Sequence, residues 1–181
     1  MNLTLSLTPR ELLARYQAGE RNFAGIRWIE PNNDPEALWG ADLSGIILSG
    51  AYLPGVKLRE ANLTGAKMVG VYMPDADLTL ADLREANLTG ATLKRACLEC
   101  VDLKFANLEA ANLTGANLDG ADLTQAKLAF SNLSQLDLSQ LGFSSPFYEK
   151  TLDAFIVARA LFWQTTLPNG QLEPGPRYYE V

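Results

Sequence analysis

REANLTGA occupies residues 59–66 and returns letter for letter at 84–91, and EAANLTGA follows at 109–116. Inside this echo lies a shorter repeat. Every fifth residue from Leu43 is apolar: Leu43, Leu48, Leu53, Leu58, Leu63, Met68, Met73 and onward through Leu138 to Phe143, 21 centres in one register. Two residues before each centre runs a second line, Ala41, Ile46, Ala51, Val56, Ala61, Ala66 and Val71, which stays small and apolar until Ser131, Leu136 and Leu141. The unit reads A-(D/N)-L-x-x, and self-similarity of this kind decides the architecture before any single element is assigned.

A period of five suits neither regular element. On a helix each step of five turns the leucine by roughly 140°, so no apolar stripe forms. On an extended strand the alanine and leucine of one unit share a side, but the next alanine, three residues on, faces the other way. The chain must therefore turn once per unit. Gly, Asn, Asp, Thr and Ser crowd the two positions after the leucine, as in Ser44-Gly45, Thr64-Gly65 and Thr89-Gly90, which is turn chemistry. Short strand and corner alternate, and the chain coils around its own leucines. The number of sides is open at this point: SGAYLPGVKL at 49–58 and VGVYMPDADL at 69–78 echo four units apart, the octapeptide five units apart.

The run A-(D/N)-L-x-x over 41–145 closely resembles the pentapeptide-repeat family. The resemblance implies an all-β fold, a right-handed, four-sided parallel β-helix with four units per coil, in which an echo five units on is one coil plus one side. The octapeptide then walks round the tower as a product of duplication, without chemistry of its own.

The flanks divide the chain further. In residues 1–40, PRELLARYQAGERNF predicts a short helix with Thr8 as N-cap, Pro9 at its first position and Gly19 near its stop. Leu12, Leu13 and Tyr16 give it an apolar side, and it is expected to cap the solenoid, whose end exposes core and unpaired edges. RNFAG at 21–25 is already a repeat unit, and EPNNDPE at 30–36 is a bulge before Leu38. Residues 146–181 form a closing segment. A helix over 146–159 followed by irregular strands is expected, although Val157, Phe162, Leu167 and Leu172 also fall five apart, as if a coil resumed in shifted phase.

Composition restricts function. The chain has no histidine, which removes imidazole bases, Ser-His and Cys-His nucleophiles and His-ligated metals. A net charge of −6 argues against direct nucleic-acid or anionic-membrane binding. The N-terminus lacks a basic n-region with an apolar core, and no apolar run approaches the roughly 18 residues of a membrane span, so a cytoplasmic protein is expected. Cys97 and Cys100 form a CxxC, but no second Cys pair completes a zinc set, and they read as solvent-side residues. No catalytic, cofactor or metal site is expected, because leucine and alanine fill the interior and leave no pocket.

Three sets of outward residues are candidates for contact. Under four-sided geometry Asp42, Asn62, Asp82, Asp102 and Asp122 form an acidic ladder. Carboxylates so placed repel one another and raise each other's pKa, with Arg84 and Lys104 positioned to offset this. The Asp and Asn residues have a structural reading, hydrogen bonding to nearby backbone, and a functional one, imitation of a nucleic-acid backbone. The resemblance supplies the second reading, since the family includes proteins that protect DNA gyrase by such mimicry. Tyr52 and Tyr72 stack on another side beside Pro54 and Pro74, either as simple cross-strand stacking or as a partner patch. Phe162 and Trp163, in a stretch too apolar for a free surface, are expected anchors of a C-terminal homodimer. The expected function is that of a non-enzymatic protein-interaction or scaffold module with an unassigned partner. The alternative is a DNA mimic directed at gyrase or a topoisomerase.

Overall fold

The computed structural model of the chain describes residues 5–28, 36–142, 160–167 and 170–178. Between Asp42 and Asn132 the backbone makes one parallel bridge per unit, and the partners stand four units apart: Asp42 with Asn62, Ile47 with Lys67, Tyr52 with Tyr72, Lys57 with Asp77, and so upward. Four sides of one unit each therefore make one coil, which resolves the choice between the two echoes in favour of the shorter.

Where Asp or Asn precedes the leucine, a side satisfies its own backbone. In the unit Ala61–Gly65, the Ala61 N–H donates to the Leu58 carbonyl at 3.1 Å, Asn62 to Ala41 at 2.9 Å, Leu63 to Asp82 at 2.8 Å and Gly65 to Arg84 at 2.9 Å. The fifth donor, Thr64 N–H, is taken by Oδ1 of Asn62 at 3.0 Å. The same side-chain bond recurs from Arg84 to Asp82, Thr89 to Asn87, Lys104 to Asp102, Glu109 to Asn107 and Thr124 to Asp122. An aspartate or asparagine one residue before the leucine thus completes the hydrogen bonding of a half-buried backbone, where an unmet donor costs about 1–3 kcal/mol.

The corner residue closes each side in the left-handed region. Gly65 and Gly90 both have φ +65°, but Glu60, Leu80, Phe105 and Phe130 hold φ of +59°, +60°, +62° and +59° at equivalent corners. A side chain there costs on the order of 1–2 kcal/mol, and among the described residues no β-branched side chain stands at a positive-φ corner. The turn thereby aims both the small residue and the leucine inward. Leu63, Leu83, Leu88 and Leu93 are fully buried, as are Ala61, Ala66 and Ala86, in one core that runs from Leu7 to Leu167. Each buried leucine contributes about 1.5–3 kcal/mol relative to an exposed one.

The N-terminal flank follows its sequence signals. Strand β1 (Ser6–Leu7) leads into helix α1 (Pro9–Gln17), and β1 pairs in parallel with β2 (Arg27–Trp28). Thr8 caps α1 through a capping box in which the Glu11 N–H donates to Thr8 Oγ1 and the Thr8 N–H to Glu11 Oε2. Leu12 and Tyr16 are buried with Phe23, Ile26 and Leu43, and the Tyr16 hydroxyl donates to the Ser44 carbonyl at 2.7 Å. The first bridges, Asn22 with Ile47 and Arg27 with Tyr52, span five units' length instead of four. The extra length belongs to the bulge before Leu38, most of which lies outside the described residues.

At the other end, the expected helix over 146–159 also lies outside the described residues. The chain rejoins the tower at Ala160. Asn132 bridges Leu161 and Asp137 bridges Thr166, a step one residue short of six units in each case, and Ala160, Phe162, Thr165 and Leu167 point inward. This is the resumed coil in shifted phase. It stops at Leu167, because Leu172 is 57% exposed. The chain instead doubles back, so that β5 (Leu172–Glu173) runs antiparallel to β4 (Thr165–Thr166) and β6 (Arg177–Tyr178) antiparallel to β3 (Leu161–Phe162). Thr165, inward where alanine is usual, donates its hydroxyl to the Leu133 carbonyl at 2.7 Å, and Ser131 bonds Leu128 in the same way. One expectation is corrected here. Phe162 is fully buried because it occupies the leucine-centre position of the resumed unit, so it cannot anchor a dimer from the surface; Trp163, one residue on, is exposed.

The side-chain bond to the fifth donor yields a direct test. Asn87→Ala leaves the Thr89 N–H unmet and is expected to lower stability by about 1–2 kcal/mol in urea unfolding. Adding Thr89→Pro removes that donor, as Pro54 and Pro74 do at equivalent positions, and is expected to recover more than half of the loss. A double variant no more stable than the single one contradicts this role.

Candidate functional site

The acidic ladder exists as a column: Asp42, Asn62, Asp82, Asp102 and Asp122 bridge successively. Each carboxylate is already committed. Asp82 accepts from Arg84 Nε at 2.9 and 3.0 Å with both oxygens, and Arg84 Nε lies 3.8 Å from Asp102. Lys104 Nζ sits between Asp102 at 3.3 Å and Asp122 at 3.1 Å. Asn62 donates its amide to Asp42 at 3.1 Å. The Arg84 hydrogen bond holds the Asp82 carboxyl below its ordinary range, and the bond to Asp122 does most to raise the Lys104 ammonium. The column is thus an alternation of signs, aspartate, arginine, aspartate, lysine, aspartate. The repulsion expected of stacked carboxylates is relieved by the two cations placed two residues after them.

Two corners round the coil, on the opposite side, stands the column Arg27, Tyr52, Tyr72, Thr92. The tyrosine rings lie 4.9 Å apart and 4° from parallel, and the Arg27 guanidinium lies 5.0 Å from the centre of the Tyr52 ring. Both tyrosines remain about two-fifths exposed, at 41% and 40%. The hydrogen-bond pattern of the coil explains their sequence context. Tyrosine cannot serve the fifth donor as asparagine does, and in both units proline stands at the donor's position, where there is no N–H. Pro54 and Pro74 therefore leave no fifth donor to satisfy beside Tyr52 and Tyr72. Their surface roles differ: Pro54 is exposed, but Pro74 is buried, stacked in its column between Pro54 and Lys94, and it drops out of the candidate patch. Beside it Arg95 grips Asp75 of the preceding coil with two bonds of 2.7 Å.

Cys97 is half-buried with its sulfur 3.2 Å from the Thr79 hydroxyl, whereas Cys100 is an exposed corner residue with φ +54°. Among the described residues no group of acidic or cysteine side chains is arranged to hold a metal ion. Sequence reasoning overlooks Arg27, Lys67, Lys94 and Arg95 as neighbours of the tyrosines. Setting the chain out four units to a coil reveals the last three, but Arg27 enters its column only through the longer step across the bulge.

Comparison with known protein families agrees with this architecture. The family model described as pentapeptide repeats matches residues 38–73, 70–99 and 102–140 in eight copies. Among solved structures, the pentapeptide repeat protein Rfr23 from the cyanobacterium Cyanothece 51142 is 23% identical, with a TM-score of 0.40 over 75% of this chain and 96% of that one. HetL, a pentapeptide repeat protein involved in heterocyst differentiation regulation from Nostoc sp. strain PCC 7120, is 22% identical, with a TM-score of 0.28 over 92% and 100%. QnrB1, a plasmid-mediated fluoroquinolone resistance protein, is 18% identical, with a TM-score of 0.41 over 95% and 90%. Comparison with curated proteins finds no match.

The ion pairing of the ladder predicts a pH dependence. Because the folded-state pKa of Asp82 is depressed, its stabilising contribution is present above the ordinary aspartate value of about 3.9 and is lost as the pH falls through the folded value. Arg84→Gln should move the Asp82 carboxyl titration, followed by carbon NMR, back up toward that value and make the acid-side loss of stability shallower. An unmoved titration would show that Arg84 is not what holds Asp82 ionised.

Proposed function

The chain belongs to the pentapeptide-repeat family, and from that premise we propose that it is a non-enzymatic protein-interaction module whose partner contacts the Tyr52–Tyr72 face. The coil is read as right-handed, as in the family, with α1 closing one end and the antiparallel return after Leu167 the other. The observation that carries the proposal is the pre-stacked, exposed tyrosine pair held by backbone bridges beside exposed Pro54. Aromatic side chains already fixed in place lose little freedom on binding and are favoured anchors at interfaces. Among the described residues the interior is filled mainly by leucine and alanine.

Gyrase-directed DNA mimicry is the weaker reading. A polyanion mimic needs uniform negative charge along its length, whereas Arg84 and Lys104 lie within the Asp82 to Asp122 column.

The expected outcome of an affinity capture from extract of the native cell is a protein partner whose recovery falls at least about tenfold with Tyr52→Ser and Tyr72→Ser together and is unchanged by Asp82→Asn with Asp102→Asn. The reverse dependence, together with inhibition of gyrase supercoiling by the wild-type protein, would replace this proposal with the mimic.

A further inference from the structure

A net charge of −6 conceals a molecule with two electrically different sides. The ladder side carries Asp42, Asp82, Asp102 and Asp122, with Glu60, Glu85, Glu99 and Asp119 at its flanking corners, and Arg59, Arg84 and Lys104 answer them. The coil order places the tyrosine column on the opposite side, and there the balance inverts. Arg27 stands in the column itself, Lys67 and Lys57 in the columns to either side, and Lys94 and Arg95 at the corner above Pro74. The carboxylates among them are Asp75, paired with Arg95, and Asp77, whose Oδ1 already accepts from the Thr79 backbone and hydroxyl. Arg27, Lys67 and Lys94 are exposed and make no ion pair among the described residues. Five cations and two committed carboxylates thus surround two exposed aromatic rings.

We infer that the partner segment received by the Tyr52–Tyr72 face is an acidic polypeptide carrying aromatic or other apolar side chains, an inference that rests on the interaction role proposed above. The cations would pair with its carboxylates while its apolar side chains pack on the tyrosine rings and Pro54. The opposite side repels the same segment, so the charge separation orients its approach. The size of the patch favours a peptide. Four layers, from Arg27 to Thr92, are about 14 Å deep at the usual strand spacing, the length of about four extended residues. A nucleic acid long enough to wrap past this patch would meet the ladder side, where carboxylates outnumber cations.

A fluorescent peptide of about eight residues, mostly glutamate with two tryptophans, serves as the probe, and anisotropy reports its binding. The face is expected to bind it, to lose at least about tenfold in affinity with Lys67→Glu and Lys94→Glu together, and to weaken as salt rises to about 0.5 M. Asp102→Asn, on the far side, should leave the affinity unchanged. Equal binding of the lysine analogue of the peptide overturns the inference, as does tighter binding of a single-stranded oligonucleotide of the same charge. A partner captured through the tyrosines for which the acidic peptide does not compete overturns this inference alone, whereas capture that ignores the tyrosines overturns the interaction role as well.

Discussion

The bond from the backbone N–H after the leucine to the Asp or Asn side chain before it, made wherever the unit carries one of those residues, is the recurring constraint around which the rest of the structure is arranged. Four of the five donors in a unit find carbonyls, two between neighbouring coils in one direction, one in the other, and one across the corner. The fifth finds Oδ1, as between Thr64 and Asn62 or Thr89 and Asn87. With that bond made, a chain with few long strands can stack layer on layer and bury its leucines without an unmet donor at the half-buried edge. The same bond gives the acidic and amide residues that line this protein a structural reason for their number.

This requirement also governs what the outer surface can carry. Where Asp or Asn stands before the leucine, the side chain is occupied by its own backbone, and charge on it can be neutralised by a neighbour, as Arg84 and Lys104 do for the ladder. Where proline removes the donor, the position is released for another residue, and in two successive coils that residue is tyrosine. The Tyr-x-Pro units combine both changes, a residue that faces outward with its ring exposed and no backbone donor after the centre. A surface freed from structural duty, stacked in advance and ringed by cations, is the best-founded contact region of the molecule.

Much of this is legible in the residues themselves. The leucine and alanine lines mark the interior from Leu43 to Leu141, Thr8 and Pro9 mark the start of α1, and Asp82 with Arg84 marks an ion-paired ladder. Phe162 misleads because the stretch after Phe143 breaks the register, and the bridges of Asn132 to Leu161 and Asp137 to Thr166 show that Ala160–Leu167 re-enters the core. Pro54 and Pro74 look alike in sequence, yet stacking buries one and leaves the other exposed. Arg27 is invisible as a neighbour of Tyr52 because the bulge before Leu38 adds a unit's length to its step. In each case the missing information is long-range register, which a local pattern does not carry.

That register is the central claim, since every column and face described above follows from it. Disulfide trapping in a Cys97→Ser and Cys100→Ser background tests it most directly, with cysteines placed at Asn87 and Asn107 in one variant and at Asn87 and Asn112 in another. Bridged parallel neighbours lie about 4.8 Å apart, within the roughly 4.4–6.8 Å that a disulfide spans between Cα atoms. The account predicts ready oxidation of the 87–107 pair and none of the 87–112 pair. Preferential oxidation of the 87–112 pair would contradict it.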